Sequence, residues 1–194
     1  MEANIIGKRR VFDDFFKIDE LTLRYQQFKG DMGSPVTRLV FERGDSVAAI
    51  LFNTDTKRLI FARQFRAPSY EKGPGWITEI IAGMIDPGEG PDDALRREVF
   101  EETGYRIRDA RAISTFYLSP GGSSERIFLY YAEVDNATHD GEGGGVAAEG
   151  EDIQLVEMSV SEALADVSVG RFPDAKTLVG LLSVKEHLLR HEQL

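Results

Sequence analysis

Between Gly83 and Tyr105 the chain reads GMIDPGEGPDDALRREVFEETGY, and this stretch limits the possible folds more than any other. Pro91 suits a first helical turn, where its missing N–H leaves no helical bond unmade. Asp92 and Asp93 put negative charge at the positive end of the helix dipole. Gly104 supplies a left-handed stop. The spacing therefore predicts a helix over 91–103, with Leu95 and Val99 one turn apart and facing a core. Glu98, Glu101 and Glu102 stand at i, i+3 and i+4 and share one face. Like charges so placed cost about 0.2–0.5 kcal/mol per pair, so something positive belongs among them. Arg96 and Arg97 are candidates, and Glu89 in the preceding loop is placed to fold back toward the same face. The other candidate is a hard divalent cation. Carboxylate oxygens are what Mg²⁺ and Mn²⁺ prefer, usually shared with waters and substrate phosphates. A glutamate-rich helix face is usually only solvated surface, and it is the fixed intervals around this one that argue for more.

Composition narrows the partners. The 194 residues carry 23 Lys plus Arg against 33 Asp plus Glu, a formal net charge of −10, and no cysteine. At about 100–200 residues per domain, one domain with a small appendage is expected. Without thiols there is no disulfide framework, zinc finger, iron–sulfur cluster or Cys nucleophile. The acidic balance disfavours nucleic acid and anionic membrane surfaces, whose affinities come from Lys and Arg. Charges interrupt every apolar run of MEANIIGKRRVFDDFF, so no signal-peptide core is expected there, and no apolar run is long enough to span a bilayer. A cytoplasmic home is the expectation.

The coarse pattern is strands first, then strands mixed with helices. Phe16, Ile18, Leu21, Leu23 and Tyr25 predict β structure, irregular around Asp19–Glu20. Segments 36–42, 47–53, 59–65, 77–82, 109–117, 127–134 and 154–158 read as further strands. Helices are expected over 161–167 and 173–191, the second with Leu178, Leu181, Leu182, Val184 and Leu188 on its apolar side. Asp140 to Gly150, DGEGGGVAAEG, reads as a mobile loop; it lacks the Lys-Ser/Thr of a P-loop. Trp76, after Gly73-Pro-Gly75, reads as a packing anchor. His139, His187 and His191 read as surface residues, and no Ser/His/Asp grouping is evident. Strands mixed with three helices give an α+β or α/β/α layered class, strand-rich over 1–45 before a main domain over 46–194.

Gly83, Glu89, Arg97, Glu98, Val99, Glu101, Glu102 and Gly104 stand without a gap at the intervals of the Nudix box, which this segment closely resembles. The final position, usually aliphatic, is Tyr105. The resemblance implies a Nudix hydrolase, a mixed sheet sandwiched between helices that cleaves a nucleoside diphosphate linked to another group. It implies Mg²⁺, or Mn²⁺, held by Glu98 and Glu102 with Glu101 assisting and the Ala82 carbonyl as a further ligand. Arg97 is expected to orient the glutamates. Divalent ions relieve the charge of a diphosphate and acidify water, so little covalent machinery is needed.

Arg63-Gln-Phe-Arg66, the turn Tyr117-Leu-Ser-Pro120-Gly-Gly122, the run Gly143–Val146 followed by Glu151-Asp152-Ile153, and Asp174-Ala-Lys176-Thr177 resemble the GDP-mannose hydrolase and ADP-ribose pyrophosphatase branch, Pro120 being the marker proline. The resemblance implies GDP-mannose going to GMP and mannose 1-phosphate, with ADP-ribose going to AMP and ribose 5-phosphate as the alternative. Glu151 matches a loop glutamate that reaches the metals and serves as base; Glu149 and Asp152 are its neighbouring rivals. Arg66, Arg38 and Arg43 are candidates for the diphosphate or the base, Glu125 for sugar hydroxyls, Lys176 for phosphate and Phe15 for stacking. Relatives imply a homodimer built through the N-terminal strands. A non-catalytic nucleotide-sugar sensor is the remote alternative, and the negative charge disfavours an RNA-processing role.

Overall fold

The computed structural model describes residues 1–192; the side chains of Glu149, His191 and Glu192 lie outside the described set. The chain divides into two compact units. One holds residues 1–45 together with 117–126; the other holds 46–116 and everything from 127 onward. The 117–126 segment, which carries Pro120, joins the N-terminal unit through backbone hydrogen bonds such as Phe41 N–H to the Gly122 carbonyl at 2.8 Å.

The N-terminal unit is an antiparallel sheet of β1 (Ala3–Asp13), β2 (Lys17–Tyr25) and β3 (Val36–Glu42) in that order. Sequence periodicity missed β1, because Lys8, Arg9 and Arg10 break its apolar pattern. Those same charges pair across the strands: Arg9 grips Glu20 at 2.6 and 3.1 Å, while Lys8 (2.8 Å) and Arg10 both meet Asp19. The irregularity expected at Asp19–Glu20 belongs instead to β1, where register shifts fall between Ile5 and Gly7 and between Arg10 and Phe12.

The second unit is built on a mixed sheet ordered β10 (Gln154–Ser159), β5 (Arg58–Phe65), β4 (Ser46–Asn53), β9 (Arg126–Val134), β8 (Ala110–Tyr117). β4 runs parallel to β9 and antiparallel to β5. Every residue of β4 is buried, because helices cover both faces. Val47, Ala49 and Leu51 point to Ala94, Leu95 and Val99 of helix α2 (Pro91–Thr103). On the other face Ile50 meets Gly180 of helix α4 (Ala175–Glu192). Helix α3 (Val160–Ser168) packs beside α4 and carries a capping box, Ser159 accepting from the Glu162 N–H. Burying a side chain such as Phe52 or Phe61 adds about 1.5–3 kcal/mol. No helix among the described residues is long and apolar enough to cross a membrane.

Some expectations shift. A single strand over 77–82 is two, β6 (Trp76–Glu79) pairing with β5 and β7 (Ile81–Met84) pairing with β4. The break falls at Ile80, whose N–H donates to the Thr177 hydroxyl instead of a ladder partner. A one-turn helix, α1 (Ala67–Tyr70), precedes β6. Leu181, Val184 and Leu188 of α4 are buried, but Leu182 is exposed. Trp76 is no anchor: it is 57% exposed, with its ring edge-on to Phe65. His139 is exposed against Tyr105, whereas His187 is half-buried against Tyr131; His191's side chain lies outside those described.

Candidate active site

Helix α2 runs over 91–103 as the punctuation requires, with Pro91 in its first turn and Gly104 closing it at φ 73°. A Cβ on Gly104 would collide with the Gly141 carbonyl, so the stop serves packing as well as handedness.

Arg97 is the organiser of the acidic face. It donates to Glu89 at 3.1 and 2.9 Å, to Glu98 at 2.8 Å, to Glu101 at 3.1 Å and to the Met84 carbonyl at 2.9 Å. Arg96 takes no part, since it turns away to the carbonyls of Ile107 and Arg108. Arg97's hydrogen bonds, above all, hold Glu89 below its usual proton affinity, helped by the Asp86 N–H. Burial pushes Glu98 up to about 7, against the pull of Arg97 and with the push of Glu101 and Glu151.

Gly83 in β7 explains why the motif needs glycine there. Any Cβ would occupy the space of the Glu98 carboxyl. β7 thus brings the backbone that carries Ala82 directly against α2.

Glu102 is different from its neighbours. It is 2% exposed, and its Oε2 has no hydrogen-bond partner. Burial raises its proton affinity well above normal, and Glu98, Glu151 and Glu79 raise it further, against the pull of Arg66. A buried carboxylate oxygen without a donor is expensive unless it is protonated or meets a cation. Among the described residues, no three histidine, aspartate or glutamate side chains already stand as a ligand set. The orphaned Glu102 oxygen, the adjoining Glu98 and the all-oxygen donor chemistry nevertheless fit a hard divalent ion. Glu98 meets Arg97 through Oε1 alone, which leaves its other oxygen to an ion.

The Gly-rich run, expected as a mobile loop, is tied to α2 at two of its glycines. The N–H groups of Gly144 and Gly145 donate to the carbonyls of Glu102 and Glu101, at 2.8 and 3.0 Å. These are end carbonyls of α2 that the helix itself leaves unpaired. Glu151 follows as a half-buried side chain whose Oε2 accepts the Val146 N–H at 2.9 Å. It lies close enough to raise the proton affinity of both Glu98 and Glu102. Asp152 is exposed, and the side chain of Glu149 lies outside those described.

Arg66, Ala82, Glu89, Glu98, Glu101, Glu102, Glu151 and Lys176 all belong to this unit. Phe15, Arg38, Arg43, Pro120 and Glu125 belong to the N-terminal unit. There Phe15 is exposed, its ring edge-on to Phe16 at 4.8 Å, and Arg38 is exposed. Glu125 is buried and faces Arg43 at 3.9 Å. One residue of the second unit escaped sequence reasoning. Glu79 is buried and pairs with both Arg66 (2.7 Å) and Lys176 (3.1 Å). Its only sequence trace is a carboxylate ending the short apolar run Trp76-Ile-Thr-Glu79.

The NUDIX domain profile matches residues 42–176 of the chain. The chain belongs to the Nudix family. It is accordingly a hydrolase acting on pyrophosphate bonds. Over its full length it is 36% identical to the GDP-mannose pyrophosphatase of Cronobacter sakazakii, covering 96% of that protein. It is 32% identical to the ADP-ribose pyrophosphatase of Escherichia coli K12, over 96% of this chain and 89% of that one. A crystal structure of an ADP compounds hydrolase superposes with a TM-score of 0.74 at 20% identity, covering 100% of this chain and 98% of that one, which shows the shared fold.

Proposed function

We propose that this Nudix enzyme hydrolyses the diphosphate of a nucleoside diphosphate sugar, with GDP-mannose the preferred substrate and GMP and mannose 1-phosphate the products. The observation that carries the reaction is the buried, partnerless oxygen of Glu102 beside Glu98 and Glu151. Glu98, Glu102 and the Ala82 carbonyl hold the divalent ion, with Glu101 assisting. Mg²⁺ there would neutralise charge on the diphosphate and make water more acidic. Arg97 sets the orientation of Glu98 and Glu101 from one side, while β7 presses against Glu98 from the other. Glu151 takes the proton from the attacking water. It raises the proton affinity of both metal-face glutamates, and the anchored glycines fix the start of its loop on α2. Arg66 contributes charge-assisted contacts to the diphosphate.

The preference for GDP-mannose over ADP-ribose rests on near-full-length likeness to a GDP-mannose pyrophosphatase at 36%, against 32% for an ADP-ribose pyrophosphatase. Hydrolysis of the two compounds at equal concentration with Mg²⁺ tests it; faster turnover of ADP-ribose would reverse the assignment. A second copy is proposed as a partner through the N-terminal sheet, where Ile5, Ile6, Phe12 and Leu39 stand exposed. Sedimentation at micromolar concentration checks this, and a monomer would refute it.

A further inference from the structure

Glu79, in β6, is only 3% exposed, yet both of its oxygens are engaged. Oε1 accepts from Arg66 Nε at 2.7 Å, and Oε2 accepts from Lys176 Nζ at 3.1 Å. Lys176 Nζ also donates to Asp174 Oδ1 at 2.7 Å. Asp174 Oδ2 accepts from the Thr177 N–H at 2.9 Å and from its hydroxyl at 2.8 Å. The Thr177 hydroxyl oxygen in turn accepts the Ile80 N–H at 3.0 Å. The chain of bonds therefore closes on itself, from Glu79 through α4 to the residue that follows Glu79. Its formal charges balance, Arg66 and Lys176 against Glu79 and Asp174.

A buried ionic network of this kind is a poor source of stability, because desolvation cancels much of the attraction. Its value lies in fixing geometry. Glu79, Lys176 and Asp174 are nearly covered, while Arg66 is the exposed end of the network. Arg66 is held through Nε, and its two Nη groups make no hydrogen bond among the described residues. A guanidinium gripped at Nε keeps a planar fork suited to two phosphate oxygens. β6 passes through Ile80 straight into β7, whose Gly83 lies against the Glu98 carboxyl, and this places the network next to the acidic face of α2.

We propose that Glu79 is a positioning residue that clamps Arg66, so that its two Nη groups form a fixed fork for the substrate diphosphate beside the acidic face of α2. Lys176, Asp174 and Thr177 lock the clamp onto α4. The inference rests on the pyrophosphatase reading given above. It assigns Glu79 no contact with substrate, and it gives Lys176 a bracing role toward Glu79.

Steady-state kinetics of Glu79→Gln, Arg66→Ala and the double variant test it, using whichever of GDP-mannose and ADP-ribose the wild type cleaves. Arg66 in this role binds the ground and transition states alike, so Glu79→Gln raises KM by about tenfold or more while kcat changes by less than about threefold. The double variant is no worse than Arg66→Ala alone, since a clamp has nothing to hold once the fork is gone. Mn²⁺ affinity, read by electron paramagnetic resonance of the free ion, stays at the wild-type value. Should Glu79→Gln fail to fold, Glu79→Asp, which keeps the charge but withdraws it from Arg66, carries the same comparison. A wild-type KM in these variants, or effects of Glu79 and Arg66 that multiply, would overturn the clamp while leaving the pyrophosphatase reading intact. A wild type that cleaves no nucleoside diphosphate sugar would overturn both.

Discussion

Asp19 in the N-terminal sheet and Glu102 in α2 are equally buried, each 2% exposed, and their protons behave in opposite ways. Arg10 and Lys8 hold Asp19 down to about 2. Glu102 has no such cation and an oxygen with no donor, and burial among Glu98, Glu151 and Glu79 raises it well above normal. Low surface exposure by itself therefore says little about a carboxylate: two cations dominate at Asp19 in a thin sheet, whereas desolvation dominates at Glu102 in the packed layer. Where the sequence places basic residues on the neighbouring strand, the buried acid becomes part of the scaffold. Where it crowds acids around a buried carboxyl and bonds no cation to it, the acid's proton affinity rises.

The contrast yields predictions of decreasing size. Glu102→Gln removes the charge an ion needs, and turnover with saturating Mg²⁺ should drop by about a thousandfold or more. The same change relieves an unpaired buried charge, so the metal-free variant should melt higher than the metal-free wild type at pH 8; a lower Tm would sink the idea of an uncompensated acid. Arg97→Gln and Gly83→Ala disturb the ligands without being ligands, the first by freeing Glu89, Glu98 and Glu101, the second by crowding Glu98. Each should weaken Mn²⁺ binding in titrations by roughly 10–100-fold.

The pH dependence follows from the same pair. Glu98 has a folded value of about 7 and Glu102 lies well above 4.5, so the native state holds more protons than the unfolded chain in that window. Metal-free stability should therefore fall as pH rises from about 4.5 through 7, by roughly 5–10 °C in Tm, and Mg²⁺ should flatten the decline. Asp19 works with the opposite sign: its contribution is complete above the ordinary aspartate range and is lost as pH falls toward 2. Asp19→Asn should accordingly reduce the acid-side loss of Tm. Unchanged acid unfolding in that variant would show that Asp19 is not the group responsible.

Local signals carried a good part of this protein. Pro91, Gly104 and the intervals from Gly83 to Tyr105 set the box helix residue by residue, because capping and dipole preferences act within a turn of the residue that supplies them. The apolar run over 47–53 was legible as a strand, and the layers on both of its faces account for every position of β4 being buried. The glutamates of the site were legible as one crowded helix face. What the sequence could not contain was the charge each of them carries. Glu98, Glu101 and Glu102 are neighbours on one helix, yet Arg97 serves the first two and Glu102 is left buried with an oxygen that has no donor. Glu79 and Lys176 stand far apart in the chain, and only the packing of α4 against the break between β6 and β7 joins them. Likewise β1 looked too charged to be a strand until its partner β2 supplied Asp19 and Glu20. Helix punctuation is local and so is written in order along the chain; desolvation and ion pairing depend on what the fold brings across it, and that is decided only when the layers close.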